Sequence, residues 1–84
     1  MGKTMIKDVQ KRVKKVIAKV LETSEDQITE DANFIFDLGA DSMQSMELVA
    51  AFEEEFDIEM DEEKALDVQT VSEAVEFISG YLEK

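Results

Sequence analysis

The sequence of 84 residues contains no cysteine, no histidine, no proline and no tryptophan. Without cysteine the fold can have no disulfide, and no thiolate can ligate a soft metal or act as a nucleophile. Without histidine the chain lacks the usual general base near neutral pH and the commonest metal ligand of proteins. These absences argue against ordinary triad catalysis, and any thiol chemistry must be supplied by a group from outside the chain.

Long apolar runs are also missing. No segment approaches the roughly 20 consecutive apolar residues of a membrane-spanning helix, and the N-terminus lacks the apolar region of a secretory signal. We therefore expect no membrane insertion and a cytoplasmic location, or an organelle matrix or stroma if a transit peptide has been removed. The short length predicts a single domain over residues 1–84.

Positive charge is scarce and confined to one end of the chain. The formal net charge is −12, with +6 on residues 1–20 and −18 on residues 21–84. Such an acidic field repels nucleic acids and anionic membranes, and it steers basic protein surfaces towards the chain. We expect basic protein partners and no nucleic acid, although the charge could instead serve only to keep a small protein in solution.

Apolar residues recur with helical spacing and predict an all-α fold. The predicted helices cover approximately residues 4–22, 41–56, 61–66 and 70–83, which gives a small bundle of three longer helices and one short helix. Capping signals support the second and fourth starts, where Asp41 precedes Gln44 and Thr70 precedes Glu73 by three residues. A long loop joins helices 1 and 2, and we expect its apolar residues to anchor it: Phe34, Ile35, Phe36 and Leu38.

A helical wheel divides the second helix into two surfaces. Its largely apolar sector contains Ser45, Leu48, Val49, Phe52 and Phe56 and is predicted to face the core. Ser42 lies at the edge of that sector, beside a mixed surface of Met43, Met46, Glu47, Ala50, Glu53 and Glu54. Methionine is flexible and polarizable, which suits contact with varied partners, but Met43 and Met46 could instead pack on the neighbouring loop.

The segment Asp37-Leu38-Gly39-Ala40-Asp41-Ser42-Met43 resembles the phosphopantetheine attachment motif of acyl carrier proteins. The resemblance extends over most of the chain, through the loop from Phe34, the acidic second helix and the final helix after Thr70-Val71. The chemistry also fits without the family, because a serine at a helix N-terminus presents its hydroxyl where the dipole stabilises a phosphate. The alternative is that Ser42 only begins a helix.

The resemblance implies a non-catalytic carrier whose Ser42 receives a 4'-phosphopantetheine arm from coenzyme A, and whose arm holds growing fatty acyl chains as thioesters. It implies as partners a holo-carrier synthase, fatty acid synthesis enzymes with basic docking patches, acyltransferases and the acyl chains, with the chain itself a monomer. The surface that partners would contact comprises Asp41, Met43, Met46, Glu47, Ala50, Glu53 and Glu54. A carrier of a polyketide, peptide or D-alanyl pathway is the nearest alternative.

The family also shelters the acyl chain between its helices. The corresponding pocket here is predicted to be lined by Phe34, Phe52, Met60, Ala65 and Val68. Phe52 and Met60 stand where the family often has aliphatic residues, so we expect a smaller or reshaped pocket. Met43 and Gln44 depart from the usual residues after the serine, which leaves the choice of partner enzymes open.

Two other classes of protein share some of these features. An EF-hand loop beginning at Asp31 would need glycine where Phe36 stands and a bidentate glutamate where Ser42 stands, so no dedicated metal site is expected. A helical adaptor without a covalent cofactor would have the same fold and charge. Attachment of an arm to Ser42 distinguishes the carrier from the adaptor.

Overall fold

The computed structural model describes residues 6–82, which form four α-helices and no β-strand. The helices are α1 Ile6–Leu21, α2 Ser42–Phe56, α3 Glu62–Leu66 and α4 Val71–Leu82. Three long helices and one short helix, with a long loop after α1, confirm the predicted all-α bundle. Residues 4, 5 and 83 of the predicted helices lie outside the described residues. The last three helices start one residue later than predicted, because Asp41, Asp61 and Thr70 cap them from outside.

The core is built from one apolar face of each long helix. Apolar residues spaced three or four apart fall on one side of a helix, so each long helix can bury a stripe and leave its charged side in water. Each fully buried aliphatic or aromatic side chain contributes about 1.5–3 kcal/mol relative to exposure. The buried residues of α1, α2 and α4 are Val9, Val13, Val16, Ile17, Leu48, Phe52, Phe56, Val71, Ala74, Val75 and Ile78.

A surface contact joins α1 to the C-terminal end of α2. Arg12 Nε lies 2.8 Å from Glu55 Oε2, and Arg12 Nη2 donates to the Glu55 backbone carbonyl at 2.6 Å. The guanidinium carbon also lies 4.4 Å from the centre of the Phe56 ring, within range of a cation–π contact. This is the one ion pair within residues 6–82, so electrostatic attraction contributes little to the fold compared with the core.

The loop between α1 and α2 is held by buried apolar residues and by its own hydrogen bonds. A single 3-10 turn, Glu25–Gln27, follows Ser24, whose hydroxyl accepts from the Asp26 amide. Ile28, Ala32, Phe34 and Ala40 are buried and anchor the loop, and Leu38 is partly buried against the same core. The predicted anchoring role of Phe34 and Leu38 thus agrees with the structure.

The prediction that Ile35 and Phe36 also anchor the loop is wrong. Ile35 is 59% exposed and Phe36 is 87% exposed. The physical reason is the conformation of Asn33, whose side-chain oxygen accepts hydrogen bonds from the backbone amides of both residues. This turn directs the two side chains outward, and sequence hydrophobicity alone did not reveal it.

Backbone hydrogen bonds fasten the same loop to the start of α4. The Phe34 amide donates to the Gln69 carbonyl, and the Val71 amide donates to the Ala32 carbonyl, at 3.0 and 3.1 Å. Asn33 and Thr70 form an isolated antiparallel bridge at this junction. These hydrogen bonds therefore fix the position of the loop before it enters α2.

Side chains from α2 and α4 position the short helix α3 by hydrogen bonding to the two residues before it. Glu53 Oε2 accepts from the Met60 amide at 2.8 Å, and the Asp61 amide donates to the Tyr81 hydroxyl at 3.0 Å. Asp61 in turn caps α3 by accepting from the Lys64 amide. A helix of five residues has little stability of its own, so these contacts with α2 and α4 determine where it lies.

Within residues 6–82 no helix has the length and apolar character needed to cross a membrane.

Candidate functional site

Ser42 is the first residue of α2 and is exposed. Asp41 precedes it as the N-cap: its Oδ1 accepts from the Gln44 amide at 2.8 Å, and Gln44 Oε1 accepts from the Asp41 amide at 3.2 Å. This reciprocal pair is the capping box that the sequence predicts. It satisfies two backbone donors at the helix start. It also fixes the backbone from which the Ser42 side chain projects.

The turn before the cap depends on Gly39. Its φ of +74° lies in the left-handed region, where glycine has no steric penalty and residues with a Cβ do. The next amide, from Ala40, donates to the Phe34 carbonyl at 2.8 Å, and the Ala40 side chain is buried. Gly39 therefore reverses the chain while Ala40 anchors it, and together they place Ser42 at the surface.

The electrostatics at this position favour a phosphate. The first turn of α2 contains no acidic residue, and the helix dipole presents partial positive charge at its N-terminus. Asp41 is the nearest carboxylate in sequence, and it is engaged in capping through Oδ1. A phosphodiester on Ser42 would therefore meet backbone N–H dipoles before it meets the acidic residues further along α2.

The other serines of the described chain are less suited to attachment. Ser24 caps the 3-10 turn, Ser45 is half-buried beside a cavity, and Ser72 is half-buried near the start of α4. The Ser79 hydroxyl is fully buried without a hydrogen-bond partner. The Ser42 hydroxyl is exposed, and no described residue hydrogen-bonds to it. It is therefore free to be modified without disturbing an existing contact.

The mixed surface of α2 lies beside Ser42, but its predicted members do not all behave alike. Its exposed members are Met43, Met46, Glu47, Ala50 and Glu54, and the N-cap Asp41, also predicted to contact partners, is exposed beside them. Met43 is 72% exposed and Met46 is 56% exposed, so neither is packed beneath the neighbouring loop. Glu53 differs because it is half-buried and its carboxylate is directed to the Met60 amide.

A partly open apolar cavity of about 190 Å³ lies between α2, α3, α4 and the long loop. All five residues predicted for an acyl pocket line it: Phe34, Phe52, Met60, Ala65 and Val68. Ile78 and Phe77 of α4 also line it. Neither was predicted for the pocket, because the spacing of Ile78 indicates only core packing and Phe77 lies outside that apolar stripe. Ser45, one turn after Ser42, reaches the cavity wall. Ser42 and the wall of the cavity thus share the first two turns of α2.

Comparison with known proteins agrees with this arrangement. The family model described as "Phosphopantetheine attachment site" matches residues 11–78. An acyl carrier protein of Phenylobacterium zucineum (strain HLK1) is 51% identical over 75 residues, which cover 89% of this chain and 95% of that protein. The acyl carrier proteins of two Caulobacter vibrioides strains are each 50% identical over 72 residues, covering 86% of this chain and 92% of those proteins.

The chain belongs to the acyl carrier protein family. It is a non-catalytic acyl carrier, and its cofactor is covalently attached 4'-phosphopantetheine, as the resemblance implied. The residues around the candidate site fit this group, because an exposed and unengaged hydroxyl stands at a capped helix N-terminus with no acidic residue in the first turn. When bound, the group supplies the thiol that the chain, lacking cysteine, does not have.

Proposed function

We propose that Ser42 is the residue that carries the 4'-phosphopantetheine arm, and that residues 1–84 form one carrier domain around it. The observation that carries this proposal is the position of Ser42. It is exposed at the start of α2, next to the capping box of Asp41 and Gln44, and its hydroxyl has no hydrogen-bond partner among residues 6–82. A holo-carrier synthase transfers the arm from coenzyme A to this hydroxyl oxygen. Asp41 keeps the first turn of α2 formed during that transfer.

The exposed side chains of α2 next to Ser42 form the surface that partner enzymes contact. Asp41, Glu47 and Glu54 meet basic side chains of the partner, while Met43, Met46 and Ala50 contact its apolar parts. Exposed charges of this kind act mainly on association rate and orientation, and their effect weakens as salt screens them. Glu53, predicted for the same surface, reaches a partner only by releasing the Met60 amide.

The cavity beside Ser42 shelters the apolar end of the acyl group, with Phe34, Phe52, Met60, Ala65 and Val68 as its wall. Its volume is below the roughly 300–1,000 Å³ of typical small-molecule pockets. This supports the prediction of a small pocket, in which only part of a long acyl chain would be protected from water. Phe52 contributes because its buried ring lines the cavity from α2.

We propose fatty acid synthesis in the cytoplasm as the setting, with the chain acting as a monomer. The similarity over most of the length of bacterial acyl carrier proteins supports this setting. The partners are then the holo-carrier synthase, the enzymes that extend and reduce the acyl chain, and acyltransferases that collect it. The net charge of −12 favours partners with basic docking patches and disfavours association between two copies.

The test is transfer of the arm in a defined reaction. The unmodified chain is incubated with coenzyme A and a purified carrier synthase, and its intact mass is measured. We expect the wild type to gain one arm, Ser42→Ala to gain none, and the matched variant Ser45→Ala to gain one. A wild type that stays unmodified, or a Ser42→Ala variant that is modified, would refute the assignment.

A further inference from the structure

Two large apolar side chains on the α1–α2 loop are exposed without serving the core. Phe36 is 87% exposed and Ile35 is 59% exposed, although burying such a side chain would contribute about 1.5–3 kcal/mol. Neither residue belongs to the α2 surface described above. A small domain gains no folding stability from this exposure, which points to a contact outside the chain.

The loop holds these side chains outward in a defined conformation. Asn33 Oδ1 accepts from the Ile35 amide at 2.9 Å and from the Phe36 amide at 3.0 Å. Asp37 Oδ2 accepts from the Asn33 amide at 2.7 Å and closes the turn from the other side. A loop whose backbone is already ordered loses less conformational freedom on binding than a disordered one, so this turn favours recognition.

The exposed residues of the loop are continuous with the surface beside Ser42. Ile35, Phe36 and Leu66, which is 49% exposed, line the cavity of about 190 Å³ described above. A second cavity of about 160 Å³ is lined by Met46, Val49 and Leu66, so the two cavities share Val49 and Leu66. An apolar surface therefore runs from Phe36 across Leu66 to Met46, four residues after Ser42 in α2. We name the set of Ile35, Phe36 and Leu66 the loop–α3 apolar surface, which adjoins Met46 of the α2 surface.

Acidic residues border the loop–α3 apolar surface at each end. Asp37 follows Phe36 and Glu47 follows Met46 in the chain, and Glu62 lines the second cavity. Lys64 is the one basic residue between positions 22 and 82. Two copies meeting at this surface would bring their acidic borders together, and an anionic membrane would be repelled in the same way. Charge complementarity instead favours a protein whose apolar pocket is bordered by lysine and arginine.

We infer that the loop–α3 apolar surface is a second docking contact for the enzymes that load and process the arm, with Phe36 entering an apolar, basic-bordered pocket of the enzyme. The inference rests on the proposed function, because it assumes that these enzymes approach Ser42. Phe36 is the dominant contact, since a central aromatic side chain in a desolvated pocket often carries most of an interface's binding energy.

The experiment compares Phe36→Ser with the conservative variant Phe36→Tyr. Two steps are measured: transfer of the arm by a carrier synthase, and transfer of a malonyl group from malonyl coenzyme A to the loaded protein by an acyltransferase. We expect Phe36→Ser to lower kcat/KM at least tenfold, about 1.4 kcal/mol, in one or both steps, mainly by raising KM. Phe36→Tyr should stay within about threefold of wild type, and neither variant should lower Tm, because Phe36 is outside the core.

Direct binding provides a readout that does not depend on turnover. The Kd of the loaded protein for the acyltransferase, measured by calorimetry, should rise with Phe36→Ser in proportion to the change in KM. Unchanged kcat/KM for both enzymes with unchanged Kd would overturn the inference. So would a wild-type dimer that Phe36→Ser dissociates in sedimentation, or a change confined to hydrolytic protection of a bound acyl chain. Failure of the wild type to accept the arm would instead refute the proposed function.

Discussion

Asp41 and Ser42 have different roles at the start of α2: Asp41 caps the helix, and Ser42 presents a hydroxyl at its first turn. The Asp41 carboxylate accepts from the Gln44 amide and starts α2, and the Ser42 hydroxyl is left exposed at the first helical position. Both tasks could be predicted from the sequence, because aspartate followed three residues later by glutamine is a local capping signal. The absence of a hydrogen bond from residues 6–82 to the Ser42 hydroxyl could not be predicted, since it depends on where the loop before it lies.

Removing the cap should weaken the site without touching Ser42. We expect Asp41→Ala to lower the free energy of unfolding by about 1 kcal/mol, since an N-cap residue replaced by alanine usually costs 0.5–2 kcal/mol. Arm transfer to Ser42 should slow as the first turn of α2 frays. Asp41→Asn keeps the capping oxygen and removes the charge, so its stability should stay near wild type. Urea unfolding checks the stability, and equal losses in both variants would show that charge rather than capping is responsible.

At the scale of elements, helix periodicity predicts the bundle but not the connections that position its shortest member. Apolar spacing indicates the four helices, and the buried faces of α1, α2 and α4 follow from it. Glu53 shows where this fails: its wheel position places it on the α2 surface, yet its carboxylate bends to the Met60 amide. Ile35 and Phe36 show the opposite failure, because a hydrophobic pair was expected inside and the Asn33 turn exposes it. Both outcomes depend on hydrogen bonds to loop amides, and helical periodicity does not specify the conformation of a loop.

The Glu53 contact should control the stability of α3. We expect Glu53→Ala to destabilise the fold by about 1–2 kcal/mol, because hydrogen bonds to charged groups contribute roughly 1.5–3 kcal/mol and water can partly replace this one. Amide hydrogen exchange should accelerate from Met60 through Leu66 more than in α1. Glu54→Ala removes an exposed glutamate that makes no hydrogen bond or ion pair within residues 6–82, and it should change stability by less than about 0.5 kcal/mol. Uniform exchange across the molecule in Glu53→Ala would contradict a local role.

Over the whole molecule, charge is separated between a basic first helix and an acidic remainder. Residues 1–20 carry +6 and residues 21–84 carry −18, while only Arg12 and Glu55 form an ion pair within residues 6–82. The acidic remainder therefore repels itself in the folded state. Residues 6–82 contain no cluster of three or more potential ligands that could hold a metal ion, so relief of this repulsion by cations should be diffuse.

Cations should accordingly stabilise the fold. We expect millimolar Mg²⁺ to raise Tm by about 4–8 °C if it contributes roughly 1 kcal/mol in a domain of this size. The control is NaCl at the same ionic strength, which should raise Tm less because it acts by screening alone. Differential scanning calorimetry measures both. A Tm that does not respond to either salt would contradict the importance of self-repulsion.

The central claim is that the arm is attached to Ser42, and the most direct test is the mass of the protein as isolated from its source. We predict an intact mass larger than that of the chain by one phosphopantetheine arm, or by one arm with one acyl group. Fragmentation of the intact ion should place the added mass on Ser42 and leave Ser45 unmodified. An arm on any other residue, or a chain isolated only in unmodified form, would contradict the account.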